Sequence, residues 1–232
     1  MSTFDLRRTV LEVVNEVQGR LSVNKTTTLT ATKHATVLLG LLNEVVDELS
    51  DFGDWQEMFI EVTVTASSSV GEYAVNPSSG IVKNIYEVAF DTDVAPLEVR
   101  DIQDIRRLQR LSSFGRPRQF SVVGVDNSSG NPKFRVYPVP GSNENNLTFS
   151  IAGFKKPPLY QTSDTTEEIE FPAAVVIQGL YAKALMEENG GEPTQQYQTA
   201  QAMYERMKNE ALNRYNADTG TDIFVTPIGG RR

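Results

Sequence analysis

The sequence predicts an α+β fold, an α-helical bundle made from the N- and C-terminal helices with a β-rich lobe inserted between them. Three observations carry this. Apolar residues recur at helical spacing near both chain ends, the period switches to two from Met58, and none of the four helical stripes can remain solvated, so the two ends must pack together. The expected boundaries are residues 1–55 with 170–216 for the bundle, 56–169 for the β-rich lobe with one short helix, and 217–232 for an extended C-terminal tail.

Leu6, Val10, Val13, Val14, Val17 and Leu21 form one stripe, placing a first helix over residues 3–21 with Ser2 or Thr3 as its cap. A threonine-rich connector follows. Leu38, Leu41, Leu42, Val45, Leu49 and Phe52 place a second helix over residues 32–52, stopped by Gly53 in a left-handed conformation. Met58, Ile60, Val62, Val64 and Ala66 then alternate with Phe59, Glu61, Thr63 and Thr65 as a strand does. Residues 72–75 and 82–90 read as further strands, and residues 101–111 as a short helix with Asp101 as N-cap and Ile102, Ile105 and Leu108 inward. Residues 119–125 and 133–137 form a hairpin around the turn-rich stretch 126–132, and residues 147–154 add a strand ended by Pro157-Pro158. Pro172 suits the first turn of a helix to about Glu188, whose apolar face is Val176, Leu180, Tyr181, Ala184 and Leu185. Gly190-Gly191 breaks it. In the last helix Tyr197, Ala200, Tyr204, Met207 and Ala211 step by three and four, a stripe suited to close packing on its own chain or on another.

Composition narrows the chemistry. The chain has 232 residues, enough to bury a core without disulfide or metal staples. It holds no cysteine, which removes thiolate catalysis and cysteine zinc sites, and suits a reducing compartment. One histidine, His34, leaves no His-pair metal site. The net charge of −8 argues against generic nucleic-acid binding, which rests on neutralising phosphates. No apolar run is long enough for a membrane span and the N-terminus lacks a signal-peptide core, so synthesis and use in a cytoplasm are expected.

Candidate sites are few. Asp91 with Asp93, Glu167 with Glu168 and Glu170, and Glu187 with Glu188 could meet a hard cation, but they lack EF-hand spacing and read more simply as solvated surface. His34, beside Lys33, reads as a surface or cap residue rather than a proton switch. Dinucleotide, Walker and nucleophile-elbow motifs are absent. No catalytic residue, cofactor site or metal site is therefore assigned, and the chain is not expected to be an enzyme. The local anomaly is basic: Arg100, Arg106, Arg107, Arg110, Arg116 and Arg118 lie within one short segment. Arg106, Arg107 and Arg110 are candidates for binding an acidic protein neighbour; contact with DNA, or a solvated face with one or two internal ion pairs, are the other readings. In the tail, Ile223, Phe224, Val225 and Ile228 are costly to expose and are candidates for ordering on a partner, with fraying as the alternative.

An ordered series of short motifs adds to this. Gly115-Arg116-Pro117-Arg118 leads into a strand, Tyr137-Pro138-Val139-Pro140 follows the next, and Lys155-Lys156-Pro157-Pro158-Leu159 the one after, with Phe171-Pro172 opening a helix. Upstream, Leu42-Asn43-Glu44 precedes Leu49 and Trp55. This order, from the first helix to about Tyr215, resembles the tail adaptor (head-to-tail connector) proteins of short-tailed and related phages. The resemblance implies a virion structural protein, a homo-oligomeric ring, typically a dodecamer, that joins the portal protein to the downstream tail or nozzle protein. It would extend the channel through which DNA is ejected without specific DNA binding, in the tail or neck of a virion assembled in the host cytoplasm. A non-enzymatic intracellular helical module that binds a partner peptide is the rival.

Overall fold

The computed structural model describes residues 7–77, 80–111 and 113–218. In chain order it contains α1 (Val10–Arg20), α2 (Lys33–Phe52), β1 (Phe59–Thr65), β2 (Glu72–Ala74), β3 (Ile81–Phe90), β4 (Glu98–Val99), α3 (Ile102–Gln109), β5 (Gln119–Val125), β6 (Pro132–Tyr137), β7 (Thr148–Lys156), α4 (Ala173–Glu188) and α5 (Gln195–Asp218). The fold is α+β, and contacts gather it into two units: Met1–Glu57 with Leu159–Arg232, and Met58–Pro158.

In the helical unit, α1 begins later than the apolar spacing suggests. Thr9 caps it through a capping box, its hydroxyl accepting from the Glu12 amide at 3.2 Å while Glu12 accepts from the Thr9 amide at 2.9 Å. Thr9 itself is extended, with the Val10 amide donating to Glu167 O and the Ile169 amide to Arg8 O. The sequence Thr9-x-x-Glu12 fixes this start. Ser2, Thr3 and Leu6 lie outside the described residues. Thr32 caps α2 by accepting from the Ala35 amide at 3.1 Å.

Gly53 ends α2, but not in the left-handed conformation its sequence position suggests: its φ of −171° is extended. What it supplies is room, since a Cβ there would come within 2.8 Å of Leu212 on α5.

Helix α4 touches α1, α2 and α5. It buries not only Val176, Leu180, Ala184 and Leu185 but also Ala173, Val175, Ile177 and Ala182, so the single apolar face read from spacing understates it. A helix apolar all round belongs at the centre of its unit. Pro172 is its N-cap residue, and Gly190 (φ 65°) and Gly191 (φ 88°) take the left-handed turn that ends it. Gly179 lets α5 approach, because a Cβ there would fall 2.7 Å from the Tyr204 ring. Tyr204 is 1% exposed. It is consumed by packing within its own unit and is not free for another chain, whereas Tyr197 is half-buried.

The β unit has two sheets. One is antiparallel with order β1-β7-β3; the other has order β2-β6-β5-β4, with β4 parallel to β5. Val62 faces Ile151 and Phe120 faces Val136 across their ladders. Both sheets contribute to one core, with Phe90 and Phe149 4.8 Å apart and Phe134 edge-on to Phe149 at 5.5 Å. Asp101 caps α3 by accepting from the Gln103 amide at 2.7 Å, and Ile105 is buried where α3 covers β5 and β6.

Candidate interaction surface

The arginine segment divides into two chemical groups. Arg100 pairs with Glu98 at 2.8 Å. Arg116 forks onto Asp93, with Nε and an Nη each 2.9 Å from a carboxylate oxygen, and reaches Asp91 at 3.3 Å while lying 5.3 Å over the Phe90 ring. The Asp91–Asp93 pair thus has a guanidinium partner. Hydrogen bonding to Arg116 holds the Asp93 carboxyl below the usual carboxylate range. By contrast, Arg106, Arg107 and Arg110 all project from α3 and are exposed. Arg107 has only Asp104 at 3.8 Å, and among the described residues Arg106, Arg110 and Arg118 form no ion pair. Their place at the end of α3 suits the negative end of the helix dipole. Beside them Leu111 is 69% and Phe114 59% exposed.

The other candidates separate. Glu168 meets Arg7 at 3.7 Å, and the Glu167 carbonyl accepts from Val10. His34, at the start of α2, is not a lone surface residue: its Nε2 lies 3.6 Å from Glu188. Ile223, Phe224, Val225 and Ile228 lie outside the described residues. Among the described residues no group of three or more acidic or histidine side chains could hold a metal ion, and no helix is long and apolar enough to cross a membrane.

The short motifs turn out to be joints. The Gly115 amide donates to Val139 O, the Val139 amide to Ser113 O, and the Arg118 amide to Tyr137 O, so the Gly-Arg-Pro-Arg and Tyr-Pro-x-Pro segments lie side by side. Asn43 of the Leu-Asn-Glu motif clamps the chain just after Pro157-Pro158: its Nδ2 donates to Tyr160 O at 3.0 Å and its Oδ1 accepts from the Tyr160 amide at 2.9 Å. Burial pushes the Tyr160 phenol up to about 12. Trp55 donates from Nε1 to Leu49 O at 2.7 Å and meets Phe171 edge-on at 5.5 Å. Asn15 repeats the clamp, binding both backbone groups of Thr26 at 2.8 and 2.9 Å.

One polar site is missing from the sequence reading. Lys208 on α5 is 5% exposed, with Nζ 3.1 Å from Glu48, 2.9 Å from Glu205, and 4.4 and 5.0 Å from the Phe52 and Tyr204 ring centres. Burial works to lower its pKa, but hydrogen bonds to Glu205 and Glu48 outweigh it and the net shift is upward. The signal was present in the sequence, since Lys208 falls at i+4 from Tyr204 on the apolar stripe.

Charge is unevenly divided. Between Met58 and Pro158 there are 11 Lys and Arg against 10 Asp and Glu, a net of +1; the chain total is −8, so the helical unit carries −9.

The result is a two-unit α+β protein whose short motifs are structural joints and whose α3 presents an exposed cationic and apolar face. The profile of the SU10 adaptor protein family matches residues 8–228, and the chain belongs to that family of phage adaptor proteins. The match runs past Tyr215 and takes in Ile223, Phe224, Val225 and Ile228. Among curated proteins no match is found.

Proposed function

We propose that this chain is the tail adaptor ring of a phage virion, joining the portal to the downstream tail component and extending the DNA exit channel. Membership of the adaptor family gives the class. The observation that carries the reading further is the division of charge, +1 on one unit and −9 on the other. An acidic helical unit facing a channel would repel DNA and let it slide, while a cationic face would serve protein contacts. Copies are identical and joined head to tail, a dodecamer as in the proteins it resembles, and the ring sits in the virion neck after assembly in the host cytoplasm.

Partner contacts are assigned to Arg106, Arg107 and Arg110 and to Ile223, Phe224, Val225 and Ile228, with Phe224 as the portal anchor. Sedimentation of the chain with portal tests the reading: a large symmetric complex is expected. One or two copies per portal ring, or a monomer that ignores portal, would overturn it and favour a helical peptide-binding module. Removal of residues 217–232 is expected to weaken portal attachment without loss of helical circular dichroism. Undiminished attachment would remove the tail from the contact.

A further inference from the structure

We infer that the α3 face of one copy docks against the α4–α5 turn of a second copy, with arginines 106, 107 and 110 meeting an acidic shoulder and Leu111 with Phe114 entering the groove beside it; this rests on the ring reading above.

The two surfaces are complementary, and each is only partly paired within its own unit: Arg107 has Asp104, and Glu188 has His34. On the first, Arg106 and Arg110 have no ion pair among the described residues, and Leu111 and Phe114 stand largely in solvent. Weakly hydrated guanidinium groups flanking apolar side chains are the composition of a protein contact. On the second, every residue from Glu187 to Pro193 is exposed, and Glu187, Glu188 and Glu192 stand at the C-terminal end of α4, where no base lies in the last turn. The helix dipole disfavours acids there, and among the described residues His34 reaches Glu188 while Glu187 and Glu192 form no ion pair, so an external cation adds to what the fold supplies.

The groove adjoins this shoulder. It is about 710 Å³, lined by Tyr181, Asn189, Gln195, Gln196 and Met203 beside the buried Gln178, whose Oε1 already accepts from Arg20; the exposed amides of Asn189, Gln195 and Gln196 can meet guanidinium donors beside a Met203 side chain that is 54% exposed. Apolar knobs flanked by arginine on one unit thus meet Tyr181 and Met203 among amide side chains, flanked by acid, on the other. The net charges point the same way. One surface belongs to the β unit and the other to the helical unit, so the contact is heterologous and can repeat from copy to copy, as the ring reading requires.

The test uses the full-length chain. Self-association is followed by sedimentation velocity for wild type, for Arg106→Glu/Arg107→Glu/Arg110→Glu, for Glu187→Arg/Glu188→Arg/Glu192→Arg, and for the six substitutions together. Each triple variant is expected to weaken association about tenfold or more, and the combined variant to recover most of it. Because the chain has no cysteine, Leu111→Cys copies mixed with Met203→Cys copies give a second readout: a short bis-maleimide should join one to the other, whether or not the charge variants fold. Arginine reversal without effect, or rings in which no such crosslink forms, overturns the contact and leaves the ring standing. Rings intact but portal capture lost on arginine reversal gives the face to the portal instead. A wild-type chain that forms no ring even with portal overturns the ring reading itself.

Discussion

The two units solve the same problem by different means. Met58–Pro158 is one continuous segment, closed by an aromatic core shared between two sheets whose neighbours are mostly near in sequence or joined by regular ladders. The helical unit is drawn from both chain ends, and polar side chains reach across the gap: Asn43 to Tyr160, and Lys208 to Glu48. Where strands join segments, backbone ladders satisfy the polar groups automatically. Where connectors cross helices, a side-chain amide must stand in for the missing strand, which is what Asn15 and Asn43 do. The difference teaches that the clamping polar residues of the helical unit, Asn15, Asn43 and Lys208, are structural by necessity, whereas the exposed arginines on α3 of the β unit have no such duty.

The comparison breaks most visibly if the units are separated. Residues 58–158, expressed alone, are expected to give strand-type circular dichroism and one cooperative melting transition, since the core and its ladders are self-contained. Residues 1–57 and 159–232 are expected to remain largely unfolded apart, because isolated helices are marginal without the face they bury. They should gain helicity when mixed. A β unit that stays unfolded alone would show that the division is one of contacts and not of stability.

Lys208 gives the next largest effect. Lys208→Ala removes both the charge between Glu48 and Glu205 and the stem lying on Phe52 and Tyr204. Both carboxylates remain partly in water, so the loss falls below that of a fully buried pair, about 2–3 kcal/mol. Lys208→Met keeps the stem and should recover part of it. Denaturant melts of the two variants check this. Equal destabilisation would assign the whole effect to charge.

How much of this was legible follows from how far apart the partners lie. Strand alternation and helix stripes are local, so β1, the β5–β6 hairpin and α2 could be read directly. The start of α1 was legible too, in Thr9 and Glu12, but the apolar spacing extending through Leu6 outweighed it. Val175, Ile177 and Ala182 lie off the stripe assigned to α4 and signalled a helix buried all round. The clamps and the partner of the lysine were not legible, because Asn43 and Tyr160 are 117 residues apart and Lys208 and Glu48 are 160 apart; the place of Lys208 on the apolar stripe was. For the same reason the six arginines looked alike, although Arg116 is committed to Asp93 and Arg106 is not.

The smallest effect sharpens the contrast through pH. In the helical unit, burial raises the Tyr160 and Tyr204 phenols, and Lys208 is raised by its two glutamates against the pull of burial. Groups raised in the folded state contribute stability that is fully present below their unfolded values, about 10 for tyrosine and lysine, and that is lost as pH rises through the folded values. The helical unit should therefore loosen first in alkali, between about pH 10 and 12. The β unit has one tyrosine of this kind, Tyr73, also raised by burial, but it holds a carboxyl of the opposite sign as well. Hydroxyl groups of Ser128 and Ser129 and the Ser129 amide hold Asp126 down to about 2. A lowered carboxyl contributes above its unfolded value near 4, and that contribution is lost as pH falls through about 2. The loop between β5 and β6 should loosen in that acid window. Asp126→Ala should melt slightly below wild type at pH 6 and match it near pH 2, because acid has by then removed the same hydrogen bonds from wild type. Hydrogen exchange read separately over the two units would decide it, and loosening of the helical unit ahead of the Asp126 loop in acid would reverse the assignment.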